Sequence, residues 1–379
     1  MSARPEPVAP DARVAAPTRR EVSRLLGWHA VPLAVVAPVV ILAALIPFAT
    51  TDSYLINLLI LIFIYAVLNQ AWNLTLGMTG AWNFGQLALF AIGGYAAGIA
   101  EIEFGVSPWI ALVIGAVAAG VANVILSLPS MRLRGIYVAL LTFSFAEVVR
   151  LAVINDSSGV TGGVYGLSGI VSPFESLAPL TEQRVFYWFA LIVCIVTALI
   201  IQRVMNSPYG VAFQGLRDSS RYASGLGVSM RVYYVAATTL SAVLSGVAGA
   251  LYAFHYSSIS PTVMGLTPLS LLVLMIIVGG MGTVSGPIVG TIVVMILTEL
   301  LRGTDEWRMF ILGVVLLLIL VLQPTGIVKL FGPLSARFRD WMNADQRKAD
   351  AALRDGALPG QKGGARSEAP IEEAGSDRS

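Results

Sequence analysis

The chain has 379 residues, 56% of them hydrophobic and only 12% charged, with a formal net charge of +2 and a mean hydropathy of +0.78. Soluble domains carry about 25% charged residues, so the composition excludes a soluble globular protein and reads as an integral membrane protein, each crossing of which takes about 20 apolar residues. The near-neutral charge points away from nucleic acid. The single cysteine, Cys194, excludes a disulfide framework or cysteine metal site, and His29 and His255 are too few and too far apart for a metal site.

Residues 1–27 are rich in Pro, Ala and Arg and read as a disordered basic arm without the pattern of a cleaved signal peptide. A first span is expected over Ala30–Phe48 and a second over Leu55–Leu76, the latter ending on the amides Asn69, Gln70 and Asn73. W-N-F-G-Q, with Asn83 and Gln86, opens a small-residue-rich third span reaching Ala100. The fourth is Pro108–Leu128. The fifth, Ile136–Ile154, contains Glu147 and Arg150 on one helix face. Asn155–Arg184 reads as a long polar loop, and the sixth span ends near Gln202. A polar stretch, Arg203–Arg231, precedes the seventh span at Val232–His255. Leu269–Val278 and Val284–Leu301 are two shorter segments joined by G-G-M-G-T-V-S-G-P, either two full spans or one re-entrant pair. Met309–Leu322 is a last short span, and residues 329–379 form a charged, mostly disordered tail.

The fold class is therefore all-α: a polytopic helical membrane protein with about ten transmembrane helices, some broken or re-entrant, in one membrane domain, 28–328. Basic residues concentrate in residues 1–27, Pro129–Gly135, Arg203–Arg231 and the tail, while the alternate loops hold acids and few basic residues. By the positive-inside rule this places both termini in the cytoplasm.

Within Arg203–Arg231, Ser207 and Pro208 make a helix start by capping and by proline at the first position. Tyr209, Phe213 and Leu216 then fall on one apolar stripe, with Arg217, Asp218 and Arg221 largely on other faces. Such a helix either rests on the lipid surface or docks into a partner's groove. Asn69, Asn73, Asn83 and Gln86 either line a substrate path or hydrogen-bond between helices. Glu147 and Arg150 either pair at the outer interface or mark the mouth of a path. No G-x-x-x-x-G-K-[ST] occurs, so the chain lacks a phosphate-binding loop of its own, and no catalytic histidine–acid–nucleophile set is evident.

Seven stretches in order, N-L-T-L-G-M-T-G-A-W-N-F-G-Q, L-R-G-I-Y-V-A-L-L-T-F-S-F-A-E-V-V-R, T-G-G-V-Y-G-L, S-P-Y-G-V-A-F-Q-G-L-R-D, A-S-G-L-G-V, G-V-A-G-A-L-Y-A and V-G-G-M-G-T-V-S-G-P-I-V-G, resemble the permease subunits of branched-chain amino acid ABC importers, the LivM type. The resemblance covers about residues 55–326. It implies a bacterial inner-membrane permease, not itself an enzyme, that binds no cofactor. ATP would be hydrolysed by two ATPase subunits. A second permease subunit (LivH-like) and a periplasmic substrate-binding protein would complete the importer. It further implies that Ser207–Gly227 couples to the ATPases through Tyr209, Phe213, Leu216, Arg217, Asp218 and Arg221. Relatives carry more basic residues in the first turn of that helix, where this chain has Val211 and Gln214, which shifts the expected charge pairing onto Arg217 and Asp218. Leucine, isoleucine or valine is the expected cargo, with urea or short-chain amides as the alternative. A stand-alone secondary transporter is the reading from a different class.

Overall fold

A computed structural model describes residues 43–48, 52–133, 135–210 and 230–303, together with single residues adjoining these ranges and a few near 212–217, 307–314 and 326–327. All of them fall within the unit Met1–Phe331. The expected first and last spans, the N-terminal arm and the tail lie largely or wholly outside the described residues.

Among the described residues eight long helices follow one another: α1 (Ser53–Asn73), α2 (Gln86–Phe104), α3 (Pro108–Ser130), α4 (Ile136–Ile154), α5 (Pro179–Met205), α6 (Met230–Tyr256), α7 (Leu266–Gly279) and α8 (Ser285–Leu300). Six of them, α1 to α6, are long and apolar enough to cross a membrane. The protein is thus an all-α polytopic membrane protein.

Local chemistry sets their ends. Asp52 accepts from the Tyr54 amide at 2.9 Å and caps α1, as Asp commonly does. Gly105, with φ 59°, stops α2; the amides of Gly105 and Val106 return to the carbonyls of Glu101 and Ala100. This left-handed stop supplies partners for the last carbonyls of the helix. Pro108 and Pro179 occupy the first turns of α3 and α5, where the missing N–H is of no consequence. α5 accordingly begins inside the stretch expected to be polar loop.

Helices α2, α3 and α6 form the most intimate group. They meet where glycines face one another. A Cβ on Gly93 would strike Gly246, one on Gly246 would come within 2.7 Å of the Gly115 carbonyl, and one on Gly115 would strike Gly93. Small residues are what permit such close backbone approach when lipid offers no hydrophobic drive. The opposite face of α3, with Val113, Val117, Val121 and Leu128, is exposed, as suits a helix turned toward lipid.

α1 packs on α5, α6 and α8. α8 runs antiparallel beside it. Asn73 touches Thr283 at one end and Tyr54 touches Arg302 at the other. Each pair is separated by 19 residues along its helix, about 28 Å, close to the ~30 Å hydrocarbon thickness. The α7–α8 turn therefore reaches the far end of α1, and α8 with its flanking turns runs the length of α1. α7, at 14 residues, is about 21 Å long and is entered through the 3-10 turn Pro261–Met264.

A two-residue antiparallel ladder, Leu167–Ser168 with Ser258–Ile259, was not expected. It packs where Gly94 and Gly98 leave room on α2: a Cβ on Gly94 would strike Ile259 Cδ1, and one on Gly98 would lie 2.7 Å from Ile170 Cδ1. Gly94 lies near the middle of α2, so non-helical chain enters to about mid-helix depth. It is tolerated there because Leu167, Ile170 and Ile259 are buried in protein.

Candidate coupling surface and polar interior

The described residues between Pro208 and Arg217 are helical. The entry differs from the expected serine cap. Ser207 Oγ donates backward to the Val204 carbonyl at 2.6 Å, closing the end of α5 instead of capping the next helix. Gly210 is required at this turn, since a Cβ there would strike the Met205 carbonyl. A cavity of about 710 Å3 lies in the angle, lined by Gln202, Arg203, Asn206 and Ser207 among others.

The apolar stripe divides between two surroundings. Phe213 is 2% exposed and joins Leu74, Met78, Ile201, Met205 and Leu244 in a buried cluster, its ring 6.2 Å from that of Tyr233. Tyr209 is exposed, although its ring also approaches Tyr233 at 5.7 Å. Phe213 thus seats the segment on its own bundle, leaving Tyr209 on the open side. Leu216, Asp218 and Arg221 lie outside the described residues.

Arg217 is exposed but reaches back to α1. Its Nη1 donates to the Gly77 carbonyl at 2.5 Å. Gly77 belongs to Leu74–Thr79, a π-helical turn continuing α1; such turns are rare and recur at functional sites. A Cβ on Gly77 would strike Asn73 Oδ1 and lie 2.6 Å from Gly282 N. Gly282, at φ 80°, is the hinge of the α7–α8 turn. Its amide donates to Asn73 Oδ1 at 2.8 Å, and Asn73 Nδ2 donates to the Thr283 carbonyl at 2.8 Å. One continuous chain of contacts joins the Pro208–Arg217 segment, the π turn of α1 and the α7–α8 turn.

The other amides are also buried. Asn69 Nδ2 donates to Thr291 Oγ1 at 2.9 Å and approaches Met275 Sδ at 3.1 Å. Gln86 Nε2 donates to Ser241 Oγ at 3.1 Å and also to Ser245 Oγ, and Ser241 Oγ donates on to the Ala71 carbonyl at 2.6 Å. Asn83 Oδ1 accepts from the Gly85 amide at 3.0 Å, organising the turn into α2. Asn69, Asn73 and Gln86 each tie two helices or a helix and a turn together. The serines of α6 were not singled out from sequence, although Ser241 and Ser245, four apart, face one side of a helix. Gln70 was noted there only as an amide, and its Nε2 reaches Cys194 Sγ at 3.6 Å. Asn69 Oδ1 and Gln70 Oε1 are buried with no hydrogen-bond partner among the described residues.

Glu147 and Arg150 form a bidentate pair on α4, at 2.5 and 2.9 Å. Their side chains stay 42% and 31% exposed, which places the pair on the outside of the bundle, apart from the amides. Among the described residues no group of three or more His, Cys, Asp or Glu could hold a metal.

Residues 54–320 match the family described as branched-chain amino acid transport system / permease component. The chain is similar to the high-affinity branched-chain amino acid transport system permease protein LivM of Escherichia coli K12, 28% identical over 77% of this chain and 74% of that protein. The LivM of Salmonella typhimurium LT2 is 27% identical over 71% and 69%. The probable LivM of Methanocaldococcus jannaschii is 22% identical over 72% and 93%. No solved structure matches.

Proposed function

Because this chain belongs to the family of branched-chain amino acid transport permeases, we propose that it is the membrane-spanning permease subunit of an ATP-driven importer for leucine, isoleucine and valine. It works by alternating access beside a second permease subunit in a bacterial inner membrane, with both termini cytoplasmic. A periplasmic binding protein delivers the amino acid. Two ATPase subunits hydrolyse ATP, since the sequence contains no G-x-x-x-x-G-K-[ST]. No cofactor is needed on this chain.

The observation that carries the reading is the Pro208–Arg217 segment. It is a helix outside the spans, seated by Phe213, exposed at Tyr209, and linked by Arg217 to the backbone of α1. A push on its open side is delivered to the inner end of a spanning helix. Asn69, Asn73 and Gln86 hold the helices that must tilt together, and Asn83 fixes the turn between two of them. Glu147 with Arg150 is a surface pair at one end of α4.

The test is uptake of radiolabelled leucine into proteoliposomes carrying this chain with its co-expressed permease, ATPase and binding-protein subunits. Uptake is expected to require ATP and the binding protein. Uptake by this chain alone, driven by an ion gradient, would overturn the proposal in favour of a secondary transporter.

A further inference from the structure

At the end of the bundle opposite Arg217, α1, α6 and α8 border a half-open cavity of about 400 Å3. Neither the amide network nor the coupling segment uses it. Its wall combines an aliphatic strip, Leu58 and Leu61, with Tyr54, Tyr256, Glu299 and Arg302. Volume and lining of this kind suit a small ligand held by a few fixed polar groups on an apolar wall.

The two charges are set in place. Arg302 Nη1 donates to Tyr54 OH at 2.7 Å and to Glu299 Oε1 at 3.2 Å. The Arg302 guanidinium carbon lies 5.4 Å from the centre of the Tyr54 ring. Arg302 is therefore tethered through a single nitrogen. Its Nε and Nη2, and the second oxygen of Glu299, have no partner among the described residues. An exposed ion pair contributes little to stability. A half-open cavity holding a cation and an anion side by side, each with bonding capacity left, matches a ligand that carries both charges.

We propose that this cavity binds an α-amino acid zwitterion with an aliphatic side chain. Arg302 takes the carboxylate, Glu299 takes the ammonium, and Leu58 and Leu61 take the side chain. This deepens the transport reading and rests on it for the site's role as the outer station of the path. It also separates amino acids from urea and short amides, which lack the paired charges and so cannot satisfy the cation and the anion together.

The test uses the full-length protein, purified with its co-expressed subunits into lipid nanodiscs, and a diazirine analogue of leucine. After irradiation, mass spectrometry is expected to find label on peptides containing Leu58–Leu61 or Tyr256. Leucine should compete. Leucinamide, which lacks the carboxylate, isocaproate, which lacks the ammonium, and urea should not. Arg302→Gln and Glu299→Gln are each expected to lower competable labelling about tenfold, the scale of one charge-assisted hydrogen bond. Arg302→Lys should retain more, and Tyr54→Phe, which removes only the tether, should lose least. Label absent from these peptides, equal competition by leucinamide or isocaproate, or indifference to both charge-removing variants would overturn the site. ATP-driven leucine uptake reports separately on the importer. Uptake without this labelling sinks the site alone, and labelling without uptake sinks the importer reading alone.

Discussion

Arg217 Nη1 donates to the carbonyl of Gly77 at 2.5 Å, so a cation from the helix outside the spans bonds the backbone of the π turn that continues α1. Gly77 lies among the last residues of that turn, where the final carbonyls have no partner further along the helix and one is open to a side chain. Under the proposed function, this bond would pass motion of the segment to α1 and, through Asn73 and Gly282, to the α7–α8 turn.

Arg217→Met is accordingly expected to uncouple the importer. Hydrolysis of ATP by the partner subunits should continue while leucine uptake falls about tenfold or more, the loss of one hydrogen bond to a charged group being about 1.5–3 kcal/mol. Arg217→Lys should recover part of the uptake. The check is the ratio of ATP hydrolysed to leucine transported in proteoliposomes. An unchanged ratio for Arg217→Met would show that the bond carries no force.

Asn73 and Asn69 should differ sharply although both are buried amides in one helix. Asn73 serves a backbone amide and a backbone carbonyl at the α7–α8 turn. Asn73→Leu strands both, each at about 1–3 kcal/mol. Asn69→Leu removes a bond to Thr291, an interhelical contact of about 0.6 kcal/mol, and it also removes the unpartnered Oδ1. Thermal unfolding in detergent is expected to show a large drop for Asn73→Leu and little change for Asn69→Leu.

Much of this was legible in the sequence, for definite reasons. α4 runs over Ile136–Ile154 as expected, because Gly135 and Asn155 bracket a largely apolar run whose two charges, Glu147 and Arg150, pair with each other. α3 starts at Pro108 as expected. Tyr209 and Phe213 were read as one stripe, but periodicity identifies a face and not what covers it. Hence Phe213 is found in this chain's own core. The start of α5 at Pro179 was hidden by Thr181, Glu182 and Gln183, polar residues that continue a helix beyond its apolar part. The Leu167–Ile259 ladder was not legible, since its strands are two residues long and far apart in sequence. Glu299 and Arg302 carry no sequence signal as a pair, since Leu300 and Leu301 between them read as the end of a span and Arg302 as the start of a charged loop.

The glycine meeting of α2, α3 and α6 makes a third prediction. Gly246→Ala brings a Cβ within 2.7 Å of both Ala119 Cβ and the Gly115 carbonyl, atoms on a packed neighbouring helix that cannot rotate away. The helices must separate, and overpacking of this kind costs about 1–3 kcal/mol. Gly303→Ala is the control, as nothing lies within 4 Å of its added Cβ. Melting temperatures in matched nanodiscs should fall for the first and hold for the second.

A fourth prediction concerns pH. Asp156, just beyond α4, accepts from Ser158 Oγ at 2.5 Å and Ser158 N at 2.8 Å, and from Thr161 N and Oγ1, both at 2.7 Å. These bonds, led by that from Ser158 Oγ, favour the carboxylate and hold its pKa well below the ordinary 3.8. A depressed carboxylate contributes order that is present above its unfolded pKa and lost as pH falls through its folded pKa. The loop from Asp156 to Thr161 should therefore keep constant protection from proteolysis between about pH 8 and pH 5, with loosening confined to pH well below the usual carboxylate range. Asp156→Asn, which keeps the shape but removes the charge and turns one acceptor into a donor, should raise cleavage of this loop at every pH in that window. Limited proteolysis followed by mass spectrometry measures both effects. A loop in the unsubstituted protein that loosens between pH 7 and pH 5 would show that another group, and not Asp156, sets its order.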